Sequence, residues 1–355
     1  MVFMSPCHSS HPWPLLALLG VACLLMASAC SSTPQPSGHS GWAEELNEIL
    51  RLPPAEADDA LKDLASRAPS TYQARNIEFE RARLARRHGD YERAQQLFGA
   101  LWDSDPDDSA ASRARYELAR IAWDVDGDPD GARGLLEETI VHTAPWAGAD
   151  FALSFLLRKE RGLQRHNELA DTLLHLAEQS SDDPMRAKLY LERGQTLHDP
   201  LRRPNDALAD FRRAFDACYD CSAADEALFQ MGQIYEAHQR WQPAIAVYEI
   251  LANRSDTASF VGTYASHRAS KSRYRLGVIH LLFLSDYDAA SDHFHAYIDR
   301  FDNHRYTDDS AWHLVQIERL RGNDDAFQRA LERFVEHYPY SPYLDDARHQ
   351  LAEAR

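Results

Sequence analysis

Residues 227–251 read ALFQMGQIYEAHQRWQPAIAVYEIL. Leu228, Met231 and Tyr235 are spaced by three and four, so they share one face of a helix; Ala244, Tyr248 and Leu251 are spaced by four and three on a second. Gly232 on the first face and Ala244 on the second carry almost no side chain. Small residues there let two helices cross with their backbones in near contact, which a larger residue would prevent. The stretch therefore reads as a hairpin of a helix A, a short turn and a helix B. Tyr248 and Leu251 leave a groove that only another hairpin can fill, so one unit cannot stand alone.

The pattern recurs. RARLARRHGDYERAQQLFGALWDSDP (81–106) carries Ala82, Ala94, Phe98, Leu101 and Pro106 at matching places. The Ala244 position continues along the chain as Ala94, Ala132, Ala170, Ala207, Ala244, Ala290 and Phe327, in steps of 38, 38, 37, 37, 46 and 37. The Tyr248 position continues as Phe98, Leu136, Leu174, Phe211, Tyr248, Phe294 and Leu331. The third unit (Phe151–Gln179) lacks a small residue in its helix-A crossing slot. The long step reflects extra sequence around Arg254–Ser270, a loop or an extended helix.

These residues resemble the tetratricopeptide repeat (TPR): in the 227–251 unit they fall at its positions 4, 7–8, 11, 20, 24 and 27 without a gap. The resemblance implies an all-α, TPR-like superhelical solenoid of helix-turn-helix repeats, about seven of them over residues 73–340. An atypical N-terminal helix pair over 42–72 (Trp42–Leu50 and Ala57–Ala65) precedes it. A capping helix over 341–355 with a polar outer face follows. TPR arrays hold peptide segments against their A helices. Tyr116, Tyr190, Phe229 and Tyr274 are therefore candidate groove residues, with core packing the alternative role for each.

A second resemblance lies at the end of the chain. Phe334, Tyr338, Pro339, Ser341, Asp346 and Ala347 in RFVEHYPYSPYLDDARHQLA resemble the F-x-x-x-Y-P-x-S-x-x-x-x-D-A signature of BamD-type outer-membrane assembly lipoproteins. The signature is also similar to that of YbgF-type envelope coordinators and of the helical arms of soluble lytic transglycosylases. A worn copy precedes it at Phe301, Asp302, Thr307, Asp308, Asp309 and Ser310.

The N-terminus has a different character. Residues 1–42 contain no Lys, Arg, Asp or Glu, and Pro14–Met26 is an apolar run of signal-peptide length. Ala27, Ser28 and Ala29 precede Cys30, and STPQPSGHSG follows it. This order resembles the lipobox of bacterial lipoproteins. It implies a signal peptide over 1–29, lipidation of Cys30 and a flexible tether over 30–41. Ser31 after the cysteine points to the outer membrane, with the protein facing the periplasm. An unlipidated periplasmic or secreted form is the alternative.

The formal net charge of −17 argues against nucleic acid, whose recognition needs a basic footprint. Membrane contact is expected through the lipid alone. No hydrolase, zinc-protease or nucleotide-binding motif is found, so no catalysis and no cofactor are expected. The expected partners are other envelope proteins or peptide segments, in outer-membrane assembly or as a docking subunit for a peptidoglycan enzyme or division complex. Cys218 and Cys221, between two units, are a candidate local disulfide.

One stretch carries a competing reading. In DVDGDPDGARGLLEE (124–138), Asp126, Asp128, Asp130 and Glu137 match a calcium-loop pattern, which would make the chain a calcium-responsive helical module. Aligned on the repeat, however, Gly127-Asp128 falls on Gly89-Asp90. Asp128 then caps helix B, with Pro129 at its first position.

Overall fold

The computed structural model describes residues 40–254, 267–301 and 304–353. Among them are seventeen α-helices and no strand. The chain divides into two compact units that part between Arg51 and Leu52. The described part of the first unit is α1 (Ser40–Ile49). The second begins with α2 (Pro54–Ser66) and continues as seven helix pairs. These are α3 (Thr71–Arg87) with α4 (Tyr91–Ser104), α5 (Ser109–Asp124) with α6 (Pro129–His142), α7 (Ala147–Gly162) with α8 (His166–Gln179), and α9 (Asp183–His198) with α10 (Pro204–Ala217). Then come α11 (Ser222–Ala237) with α12 (Trp241–Asn253), α13 (His267–Leu282) with α14 (Tyr287–Arg300), and α15 (Thr307–Leu320) with α16 (Asp324–His337). α17 (Leu344–Glu353) closes the order.

The expected N-terminal pair is divided between the two units. α2 buries Ala57, Leu61 and Leu64, and its Asp58 accepts two hydrogen bonds from Arg81 of α3, at 2.5 and 2.9 Å. That apolar stripe and bidentate ion pair make α2 the first helix of the stack. Among the described side chains of α1, only Ile49 is buried.

Within a pair, the B helix locks over a small residue of the A helix. A Cβ added to Gly194 would lie 2.6 Å from the Phe211 ring, one on Gly232 2.4 Å from Tyr248, and one on Gly277 2.6 Å from Phe294. All three rings are fully buried. Gly232 lies twelve residues before its position-20 alanine, but Gly194 and Gly277 lie thirteen before theirs. The turn absorbs the difference, being three residues long between α11 and α12, four between α13 and α14 and five between α9 and α10.

The turns share one device. Each of the seven A-to-B turns holds one residue in the left-handed region: Gly89, Gly127, Gln164, Arg202, Gln239, Ser285 and Gly322. In four of them the next residue caps helix B by accepting from a backbone N–H, as Asp90, Asp128, Asp286 and Asn323 do.

The third pair departs from the rule. Leu156 and Leu157 occupy its crossing region, and α7 packs chiefly on α5 and α6, while α8 packs on α9. Leu173, not the expected Leu174, is fully buried. The close approach moves to the A row instead. Gly148 of α7 sits so near Ser112 of α5 that an added Cβ would lie 2.3 Å from the Ser112 backbone. The long step of the repeat spans residues 255–266, outside the described residues.

Two substitutions should move stability in opposite directions. Gly232→Ala forces a methyl into the Tyr248 ring and should destabilise by about 1–3 kcal/mol, despite alanine's higher helix propensity. Gln239→Gly relieves a left-handed glutamine and should stabilise by about 0.5–1 kcal/mol. Thermal unfolding followed by circular dichroism checks both.

Candidate binding face

The A helices form a row, α3 beside α5, α5 beside α7, α9 beside α11 and α11 beside α13. Along it runs a column of aromatic residues that rest on the B helices. Phe79 meets Phe98 at 5.6 Å between ring centroids, Phe229 meets Tyr248 at 5.8 Å, Tyr274 meets Phe294 at 6.0 Å and Trp312 meets Phe334 at 5.3 Å. The four candidate groove residues belong to this column, and their exposure differs. Tyr116, Tyr190 and Tyr274 are half-buried, whereas Phe229 is 1% exposed. Burial raises the hydroxyl pKa of Tyr116 and Tyr274.

What covers each ring separates them further. Phe151, from the next A helix, lies 5.7 Å from Tyr116. Tyr306 stacks on Tyr274 at 4.4 Å and 7°, and Tyr343 stacks on Trp312 at 5.4 Å and 5°. His313 approaches the Tyr274 hydroxyl at 3.2 Å. Phe229 is covered by cations instead, with the Arg268 guanidinium 4.6 Å and the Lys271 ammonium 4.7 Å from its centroid.

Ion pairs between neighbouring A helices tie the row together. Arg86 pairs with Glu117 (3.1 Å), Lys159 with Asp124 (2.6 Å), Arg161 with Glu192 (2.7 Å), Lys188 with Asp150 (2.6 Å), Arg268 with Glu226 (2.5 Å) and Arg275 with Glu236 (3.0 Å). Singly, such part-exposed pairs add little stability. Their repetition on one face fixes the side chains that a partner would meet.

A cavity of about 490 Å³ opens where α11, α12 and α13 meet. Phe229, Tyr248, Trp241 and Phe283 supply its aromatic lining, and Glu236, Lys271 and Arg275 its charged lining. Trp241 and Phe283 stack at 4.1 Å and 17°, and Phe283 is half exposed. The Tyr248 hydroxyl is buried without a hydrogen-bond partner among the described residues. Burial, then the neighbouring Arg268 and Arg305, lowers the Lys271 pKa. Lys271, Trp241 and Phe283 were not singled out from the sequence. The signal present there was α13 itself, HRASKSRYRLGVIHLL, which carries four Arg and Lys and no carboxylate.

The other candidates fall elsewhere. Residues 124–138 span the end of α5, the A-to-B turn of the second pair and the first part of α6. Asp128 accepts from the Gly131 N–H at 2.9 Å, Asp130 pairs with Arg133 at 2.9 Å, and Asp126 accepts from Gln95 at 2.8 Å. Glu137 is the ninth residue of α6, half buried, and burial raises its pKa. A calcium loop needs residues 131–134 non-helical; here they are helix. No three His, Cys, Asp or Glu side chains converge as a metal site among the described residues.

Cys218 ends α10 and Cys221 precedes α11. Both thiols are free, so the expected bridge is not formed in this structure. The Cys221 S–H instead donates to the Cys218 carbonyl oxygen at 2.9 Å, closing the turn. Burial and the Cys221 neighbour push the Cys218 thiol up to about 12, the reverse of what a reactive thiolate needs. Cys30 and its signal lie outside the described residues. No helix of the described residues is long and apolar enough to cross a membrane.

The tetratricopeptide-repeat family model matches residues 226–257. No curated protein matches the chain. Among solved structures, the chain is similar to PilW, a type IV pilus biogenesis factor, at 18% identity and TM-score 0.35 over 77% of this chain and 98% of that one. It is similar to a signal-transduction ATPase with a tetratricopeptide-repeat sensor from Pyrococcus horikoshii, at 13% identity and TM-score 0.45 over 89% and 48%. It is also similar to yeast Tom70, at 11% identity and TM-score 0.38 over 91% and 65%. Likenesses of this strength speak to no particular partner.

Two outcomes follow from the geometry. Phe229→Ala should destabilise by about 3–5 kcal/mol, as loss of a buried ring does, and Tyr190→Ala by clearly less; chemical denaturation measures both. Calorimetric titration should detect no micromolar calcium binding, in the native chain or in a variant carrying Asp126→Ala and Glu137→Ala.

Proposed function

We propose that the chain is a non-catalytic, lipid-anchored scaffold that holds protein segments against its A helices at the periplasmic side of the outer membrane. One observation carries the scaffold reading: successive A helices are cross-linked by ion pairs into a preorganised face with an open cavity between α11, α12 and α13. A rigid face binds without first losing the entropy of ordering its own side chains. Repeat arrays of this type generally act as protein-interaction modules.

The anchoring part rests on the sequence. An apolar run, three small residues, Cys30 and a polar tether stand in the order that lipid attachment requires. A membrane anchor raises the effective concentration of envelope partners. The signature at Phe334–Ala347, which several families share, is compatible with a role like that of BamD-type lipoproteins, in the assembly of outer-membrane proteins. A docking subunit for a peptidoglycan enzyme or division complex uses the same anchored face.

Metabolic labelling with a palmitate analogue should mark the native chain and not a Cys30→Ala variant, which should also leave the detergent phase on Triton partitioning. Cross-linking in intact cells should then recover envelope proteins. Label on the Cys30→Ala chain, or cross-links to cytoplasmic proteins alone, overturns this reading.

A further inference from the structure

A cavity of about 430 Å³ lies among α14, α15 and α16. α14 and α16 are B helices, and each packs on α15. The cavity falls at the pair whose position-20 alanine is replaced, by Phe327. Trp312, the A-row ring of this pair, does not line it, so it is separate from the A-helix face. Its apolar lining includes Ile298 of α14 and Leu314 of α15, both half-buried. Its charged and titratable lining is Arg329, Arg333 and His337 of α16, His295 of α14 and Glu318 of α15. The two arginines and two histidines are exposed, so the basic groups stand at the solvent side of the apolar ones.

Arg329, Arg333 and His337 follow one another at intervals of four, which puts them on one stripe of α16. Like charges at that spacing oppose the helix. Arg333 uses its Nε–H on the Arg329 carbonyl oxygen at 3.4 Å, and neither guanidinium forms an ion pair among the described residues. His337 is held through Nδ1 on the Arg333 carbonyl oxygen at 2.9 Å. Asp325, Glu332 and Glu336 share the helix but do not line the cavity. Glu318 does line it, and accepts from Arg321 at 2.7 Å. Two arginines therefore face the cavity against one carboxylate that already has a cation.

We propose that this cavity holds a lipid phosphate, with the phosphate oxygens across Arg329 and Arg333 and an acyl chain against Ile298 and Leu314. Charge complementarity selects an anion, because this lining is basic in a chain whose net charge is −17. The two guanidinium groups select phosphate. A carboxylate has two oxygens and fills one guanidinium fork, whereas a phosphate has a further oxygen for the second. The half-buried Ile298 and Leu314 select an ion that carries a chain over a free one. The volume suits one small ligand rather than a protein segment of several side chains. The proposal goes beyond the scaffold reading and does not depend on the anchor.

Calorimetric titration of the full chain with octyl phosphate, kept below the concentration at which it forms micelles, tests this. Octyl phosphate should bind with a dissociation constant on the order of 10–100 μM, weakening as salt rises. Inorganic phosphate and octanoate should each bind about tenfold or more weakly, and uncharged octyl glucoside should not bind at about 1 mM. Arg329→Gln and Arg333→Gln should each weaken octyl phosphate by about tenfold, and Arg333→Lys by less. Arg212→Gln, exposed on α10, removes the same group from another B helix and should change nothing. Equal binding of inorganic phosphate removes the chain from the proposal, and equal binding of octanoate removes the phosphate; either overturns it. Unchanged affinity in the variant carrying both Arg→Gln substitutions, or no binding at about 1 mM by a chain with an intact helical melt, overturns it as well. So does tighter binding of a capped Asp-Asp-Phe-Asp peptide, since the cavity would then dock protein. Failure of the palmitate label at Cys30 would sink the anchored reading and leave these affinities intact, so the two fail separately.

Discussion

The whole stack depends on how closely helix B approaches helix A. At Gly194, Gly232 and Gly277 the backbone of one helix lies against the edge of an aromatic ring on the other, with no room for a methyl group. That contact sets the distance within each pair. The distance sets where the position-20 alanines meet their neighbours, and the six alanines from Ala94 to Ala290 are all buried. Each pair then presents a side for the next pair to cover, so the fold propagates by nearest-neighbour contacts. Where the small residue is missing, in the third pair, the A and B helices part and the close contact shifts to Gly148 on Ser112.

The same logic explains the signature near the C-terminus. Phe334 and Ala347 are buried, Tyr338 stacks on Phe334 at 5.2 Å, and Tyr343 lies flat on Trp312 while donating to Asp309 at 2.7 Å. The preceding junction repeats the arrangement: Tyr306 lies flat on Tyr274, and Thr307 donates to the Phe301 carbonyl oxygen at 2.7 Å. These residues seal the joint between one helix B and the next helix A. A sealing motif recurs wherever such joints are built, which is why several families share it and why it does not choose among them.

Fold and site were unequally legible in the sequence. Helix pairs with small residues at fixed spacing were readable because close packing leaves few residue choices. The expected alanines from Ala94 to Ala290 lie where the periodicity puts them, and the acidic 124–138 stretch is the turn that its alignment with Gly89-Asp90 suggested. Gly194 and Gly277 were missed because a fixed spacing of twelve cannot see a longer turn. Leu173 replaces Leu174 for the related reason that the third unit lacks the small helix-A residue that fixes the spacing. The site was harder. Tyr116, Tyr190, Phe229 and Tyr274 are chemically alike in sequence, and only the side chain covering each ring tells them apart. That cover comes from the next repeat, about forty residues away at Phe229 and Lys271.

The pairing of charges along the A row sharpens what an unpaired one means. Six cations of that row have a carboxylate on the adjacent A helix. Lys271 has no ion pair among the described residues, but Glu226 acts on it together with Arg268 and Arg305, and burial works against its charge. Arg268, Arg275, Glu226 and Glu236 thus share their charges across the joint between α11 and α13, and one carboxylate serves more than one cation there. A network of this kind holds two helices in one register without a dedicated partner for every side chain.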